Sequence, residues 1–170
     1  MKMIKGPVAG LYKGAMAASL AAAILGLAAC SGEAEAPAVE AVAGQVPGMT
    51  VTNARLVLAP VAGNPAAVYF DLSYEGEQGL TIRKAEVEGA GMTMMHDYGE
   101  YDFKVQMMEA LPVALTKGTK VEFKPGALHV MAMEPPASLK PGDKVKVTLT
   151  MSGGATQVFE AEVRAAGEER

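Results

Sequence analysis

Two histidines and two methionines are the residues of this chain best suited to chemistry. His96, Met107, His129 and Met131 follow one another as His-x10-Met-x21-His-x-Met, and the histidines are the only two in the sequence. Imidazole nitrogen and thioether sulfur are soft, uncharged donors. Soft sulfur selects Cu(I), whereas carboxylate and carbonyl oxygens suit hard ions. Taken singly, each methionine has a plainer reading, because a Met on a strand more often fills a gap in the core than binds a metal. Met94, Met95, Met108 and Met133 lie nearby. They are expected to pack or to line the rim of a site, although Met133 shares the face of Met131 and is placed to substitute for it.

These side chains need strands to carry them. From Met49 onward the sequence reads as short alternating runs separated by turn chemistry. The runs are 51–58, 67–74 (AVYFDLSY), 80–87, 120–123, 144–151 and 156–163, with turns at Gly63-Asn64-Pro65, Lys117-Gly118-Thr119, Lys124-Pro125-Gly126, Leu139-Lys140-Pro141-Gly142-Asp143 and Gly153-Gly154. No long 3.6-residue periodicity follows residue 30, so an all-β sandwich or barrel is expected. His129 and Met131 are two apart and leave a strand on the same side, while Leu128, Val130 and Ala132 turn to the core. His96 and Met107 must then come from a neighbouring hairpin. Its aromatic loop (Tyr98, Tyr101, Phe103) is expected to wall one side of the metal, with Gly99 permitting a sharp turn.

The amino terminus bears on location. Lys2, Lys5 and Lys13 form a basic stretch without acids, followed by an apolar run from Ala15 to Ala29. A membrane-spanning helix needs about 20 apolar residues, so residues 1–29 read as a secretory signal peptide. The run ends in Leu27-Ala28-Ala29-Cys30, which looks like a lipobox with Cys30 as the lipidated first residue of the mature protein. Residues 30–47, rich in Ala, Glu, Gly and Pro, read as a flexible tether. The 17 residues from Ser31 to Pro47 would span roughly 20–25 Å as a coil. A single domain over 48–165 and a tail at 166–170 complete the expected organisation. Ser31 in place of Asp after Cys30 leans towards the outer membrane.

Composition excludes several functions. Cys30 is the only cysteine, so the domain has no disulfide, thiolate zinc site or cysteine nucleophile. A blue-copper centre needs Cys, and c-type haem needs Cys-x-x-Cys-His. Structural or catalytic zinc prefers Cys, His or carboxylate, which leaves the methionines unused. The adjacent His96 and Asp97 face opposite sides of a strand and make no hydrolase triad, so no enzymatic activity is expected. Removing residues 1–29 leaves twelve basic groups against nineteen acidic ones, a net charge of −7. That argues against nucleic acid as a partner. With nine aromatics in the whole chain and no Trp, Val, Leu and Met are expected to do much of the core packing.

The four-residue spacing resembles the metal-binding signature of PCuAC-type periplasmic copper chaperones. Other segments are similar to that family too: Ala66-Ala67-Val68-Tyr69, Lys124-Pro125-Gly126-Ala127-Leu128-His129-Val130-Met131 and the Gly142-Asp143 turn. Two departures stand out: Asp97 occupies a place where members can carry an additional Met, and the C-terminus (AAGEER) lacks the His/Met-rich tail of some members. The resemblance implies a cupredoxin-like β-sandwich with Greek-key connections, holding one Cu(I) ion through His96, Met107, His129 and Met131. It further implies a lipid-anchored periplasmic chaperone that passes copper by ligand exchange to an acceptor protein. That acceptor would be a cytochrome c oxidase subunit or its assembly factor. Two other readings stay open: a copper buffer or resistance protein, and a non-metal β-sandwich lipoprotein that binds envelope components.

Overall fold

The computed structural model describes residues 44–168. The signal peptide, Cys30, residues 30–43 of the tether and residues 169–170 lie outside the described residues. Ten strands follow in order: β1 (Met49–Val57), β2 (Ala66–Tyr74), β3 (Leu80–Val87), β4 (Met92–Tyr101), β5 (Lys104–Glu109), β6 (Val113–Leu115), β7 (Thr119–Phe123), β8 (His129–Met133), β9 (Lys144–Met151) and β10 (Thr156–Arg164). A 3-10 turn at Ser152–Gly154 joins the last two. The all-β expectation holds.

The strands form one sheet in the order β5-β4-β8-β2-β1-β10-β9-β3-β6, with β7 also pairing β2. β1 runs parallel to β10 and antiparallel to β2, which sets the first and last strands side by side. The sheet stays open at β5 and β6 but folds over the core, bringing β3 against β4, where the Thr93 hydroxyl accepts the Val87 amide. β2 shows why the sequence chooses this arrangement. Its alternation buries Ala66, Val68, Phe70, Leu72 and Tyr74 and turns Ala67, Tyr69, Asp71 and Ser73 away, the period-2 pattern of a strand with one face in the core. Phe70 stacks on Phe123 at 4.0 Å and tilts against Phe159 at 5.0 Å. Val, Leu and Met do contribute to the core, but Tyr74, Phe70 and Phe123 are its bulkiest fully buried side chains.

Two local features depart from the sequence expectation. Simple alternation over residues 51–58 fails, because Val51 opposes Leu72 while Leu56 opposes Val68, both core residues of β2, across an odd sequence spacing. A bulge between Thr52 and Arg55 absorbs the mismatch. Asn53 takes a left-handed φ of 56° there and donates its Nδ2–H to Asp71 Oδ2 at 2.6 Å. Asn tolerates that conformation better than most side chains. The second concerns the end of the expected tether. Val46 is only 5% exposed, its amide donates to Gln157 Oε1 at 2.8 Å, and the Val158 amide donates to the Gly44 carbonyl at 2.7 Å. Packing therefore begins by Gly44, ahead of the boundary drawn at residue 48.

Candidate metal centre

Pairing between β4 and β8 sets the geometry. His96 lies directly opposite His129, Met94 opposite Met131, and Met92 opposite Met133. Alternate residues of a strand share a face, so these six side chains emerge together. Met95, Val130 and Ala132 take the other face and are buried in the core. On β5, Met107 opposes Tyr98 and Glu109 opposes His96, which places Met107 diagonally from His96 on the same outer face. The structure thus brings His96, Met107, His129 and Met131 onto one side of three adjoining strands. Of the nearby methionines, Met94 and Met133 share that side. Met95 does not, and Met108 opposes Asp97 on the reverse of the hairpin.

The sharp turn of the hairpin is not at Gly99. Gly99 sits within β4 opposite Gln106, and a Cβ there would clash with the Met108 Cε; its missing side chain makes room for Met108. The chain reverses at Asp102 and Phe103, with φ values of 50° and 59°, between the paired Tyr101 and Lys104. Two successive positive φ values are the requirement of a type I′ hairpin turn, usually met by Asn-Gly or Asp-Gly. Phe in that conformation is strained. It is also 95% exposed, so no core contact accounts for it. Of the three aromatics expected to wall the site, only Tyr98 has its ring against a candidate ligand. Tyr101 and Phe103 point into solvent at the hairpin tip.

His129 is 3% exposed although it stands on the outer face. The rings of Tyr69, Tyr98 and His96 cover it at 6.2, 6.0 and 6.0 Å between centroids. Tyr69 was not singled out by sequence reasoning, although its outward place in the alternation of β2 was the signal for it. Arg55, turned outward by the Asn53 bulge, holds its guanidinium carbon 5.3 Å from the centre of the Tyr69 ring, a stacking geometry favourable for a cation on an aromatic face.

The two imidazoles fit a metal. His129 Nδ1 donates to the Ala127 carbonyl at 2.7 Å. A carbonyl only accepts, so in the neutral ring the proton sits on Nδ1 and Nε2 carries the lone pair. Ligating histidines are commonly held in this way. His96 Nδ1 is buried without a hydrogen-bond partner, a state that costs about 1–3 kcal/mol when nothing fills it. Burial, and then the neighbouring His129, push the His96 pKa below the ordinary imidazole value, against an upward pull from Glu109. His96 therefore keeps its neutral, ligating form into more acidic solution. Met107 is 43% exposed and Met131 half-buried. Among the described residues no three His, Cys, Asp or Glu side chains gather into a metal-holding group; imidazole nitrogens and thioether sulfurs predominate on this face, with the Glu109 carboxylate opposite His96.

Comparison with known proteins agrees with the fold. The PCuAC domain of PmoF1 in its apo form superposes with a TM-score of 0.59 at 22% identity, covering 71% of this chain and 97% of that one. The copper-bound PCuAC domain of PmoF2 gives 0.57 at 14% identity, covering 71% and 95%. The CuI form of DR1885 from Deinococcus radiodurans gives 0.55 at 25% identity, covering 78% and 89%. No curated protein matches the chain. The resemblance to PCuAC domains read from the sequence is thus borne out, with the cupredoxin-like architecture it implied. A family model described as "Putative lipoprotein LpqE-like" matches residues 49–163. With well over half its length matched, and with the architecture of the PCuAC domains, the chain belongs to the LpqE-like family.

Proposed function

We propose that this protein is an extracytoplasmic lipoprotein that binds one Cu(I) ion through His96, Met107, His129 and Met131 and delivers it by ligand exchange. The observation that carries the reading is the convergence of two nitrogens and two sulfurs, distant in sequence, on one face of β5, β4 and β8. The unsatisfied Nδ1 of His96 and the oriented ring of His129 support it. So do the names of two similar structures, a copper-bound PCuAC domain and a CuI-bound DR1885. All four donors are neutral, so the bound ion keeps its charge, and a soft thiolate or thioether acceptor competes for it directly.

The uneven exposure of the four donors favours delivery over storage. Met107 is on the edge strand of the sheet and 43% exposed, whereas His129 is sealed beneath three rings. An incoming ligand meets Met107 first, and the metal stays held by the buried side until the exchange is complete. Tyr98, Tyr101, Phe103 and Val105 are exposed along the same hairpin and offer an apolar surface on which an acceptor can dock. The family resemblance points to the cytochrome c oxidase copper centre as the recipient. Cys30 would tie the chain to the membrane by its lipid, leaning towards the outer membrane, with the residues that follow acting as a tether.

Chelator competition with Cu(I), run on the wild type and on His129→Ala and Met107→Leu, tests the site. Unchanged affinity in both variants overturns the ligand assignment, and a wild type that takes up no copper leaves a non-metal binding module. Transfer to an apo acceptor faster than free dissociation of copper separates a chaperone from a buffer.

A further inference from the structure

The outer face of the β4–β8 pair carries more soft donors than one site uses. Its three directly opposed pairs are His96 with His129, Met94 with Met131, and Met92 with Met133. Opposed residues of an antiparallel pair hold their Cβ atoms about 4.5–5.5 Å apart, within the reach of two flexible methionine side chains for a shared ion. Successive pairs on one face are roughly 6.8 Å apart along the strand. Core packing does not account for the far pair: Met92 is 56% exposed, Met133 is half-buried, and the core face of these strands is filled instead by Met95, Val130 and Ala132. A carboxylate stands at the same end. Glu134 follows Met133 with a left-handed φ of 50°, and a Cβ on Gly91, beside Met92, would come within 2.6 Å of its Oε2. Gly91 therefore leaves the space that Glu134 occupies, and its amide donates to the Met133 carbonyl at 3.0 Å. A negative charge beside exposed thioethers raises the local concentration of a soft cation.

We infer that Met92 and Met133, with Met94 beside them, form a second, thioether-only site for Cu(I), next to the histidine-containing quartet. The middle pair, Met94 with Met131, lies between the other two pairs and so joins the two sites. The second site holds copper more loosely, having no imidazole, and serves as the loading or unloading position of the same surface. Movement from the quartet to the second site breaks the two Cu–imidazole bonds and exchanges the quartet's thioethers for those of Met92 and Met133, with copper monovalent throughout, so no electron is transferred and the freed imidazoles are left open to protons. The inference rests on the reading of this face as a Cu(I) surface, and its test separates the two claims.

Carbon-13 methionine-methyl NMR of the full chain, titrated with Ag(I) as a redox-inert substitute for Cu(I), reads each thioether individually. The first equivalent is expected to move the Met107 and Met131 methyls, and the second those of Met92 and Met133. The double variant Met92→Leu, Met133→Leu keeps the apolar volume, and should lose the second event while retaining the first. Met92 and Met133 methyls that stay at their metal-free positions through two equivalents, or a double variant that still shows both events, would overturn the second site. If Met92 and Met133 move while Met107 and Met131 do not, the second site stands and the quartet fails.

Discussion

His96 and His129 are directly opposed across β4 and β8, with their rings 6.0 Å apart and nearly perpendicular at 71°. Only one of the two has its Nδ1 satisfied. His129 gives that proton to the Ala127 carbonyl, whereas His96 Nδ1 is buried and unpartnered. The pair is thus half-completed by the protein and half-open to a ligand.

Removing either ring should abolish tight copper binding. Loss of a residue that only orients a ligand weakens metal affinity about 10–100-fold, so loss of a ligand should exceed roughly 100-fold. Competition against a Cu(I) chelator measures this for His96→Ala and His129→Ala. Both variants should remain folded by circular dichroism, because the two rings lie on the outer face and outside the hydrophobic core.

Acidity should act on both binding and stability. The His96 pKa is lowered in the folded state, chiefly by burial, so below the unfolded value near 6.5 the unfolded chain takes up a proton that the folded chain refuses. Stability of the metal-free protein therefore falls as pH drops through about 6.5, and the loss levels off once pH is below the folded pKa. Copper binding weakens in acid, because a ligating imidazole must be neutral. Thermal denaturation across pH, with and without Cu(I), tests both. The pH-dependent loss should shrink in His96→Phe, and a slope unchanged by that substitution would contradict the assignment to His96.

Phe103 should trade stability for contact. Its left-handed conformation at the hairpin tip costs an L side chain about 1–2 kcal/mol, and Phe103→Gly completes an Asp-Gly type I′ turn. That variant should gain about 1 kcal/mol in urea denaturation. If the exposed ring docks the acceptor, copper transfer in stopped-flow should slow while affinity for the ion is unchanged.

Gln157 anchors Gln45 and Val46 to β10. It is buried, accepts the Val46 amide through Oε1 and donates Nε2–H to Gln45 Oε1 at 3.0 Å. Gln157→Ala leaves the Val46 amide without that partner and should cost about 1–3 kcal/mol. Limited proteolysis should then cleave near residues 44–47, where the wild type resists.

Much of this molecule is legible without coordinates, wherever the deciding physics is local. The alternation of β2, β9 and β10 follows from neighbouring residues facing opposite sides while residues two apart share one. The common face of His129 and Met131, and the soft character of the donor set, follow from spacing and residue type alone. Strand register is different in kind. The opposition of His96 to His129, the diagonal place of Met107 and the far methionine pair depend on how separate strands slide past one another. A slip of one residue would put His96 on the core side. The Asn53 bulge, the burial of Val46 against β10 and the room Gly99 leaves for Met108 were likewise decided by neighbours distant in the chain. Residue types determined which ion this surface suits. Tertiary pairing decided which sulfurs and nitrogens meet, because their common location is set by inter-strand hydrogen bonds and core packing that no short stretch of sequence contains.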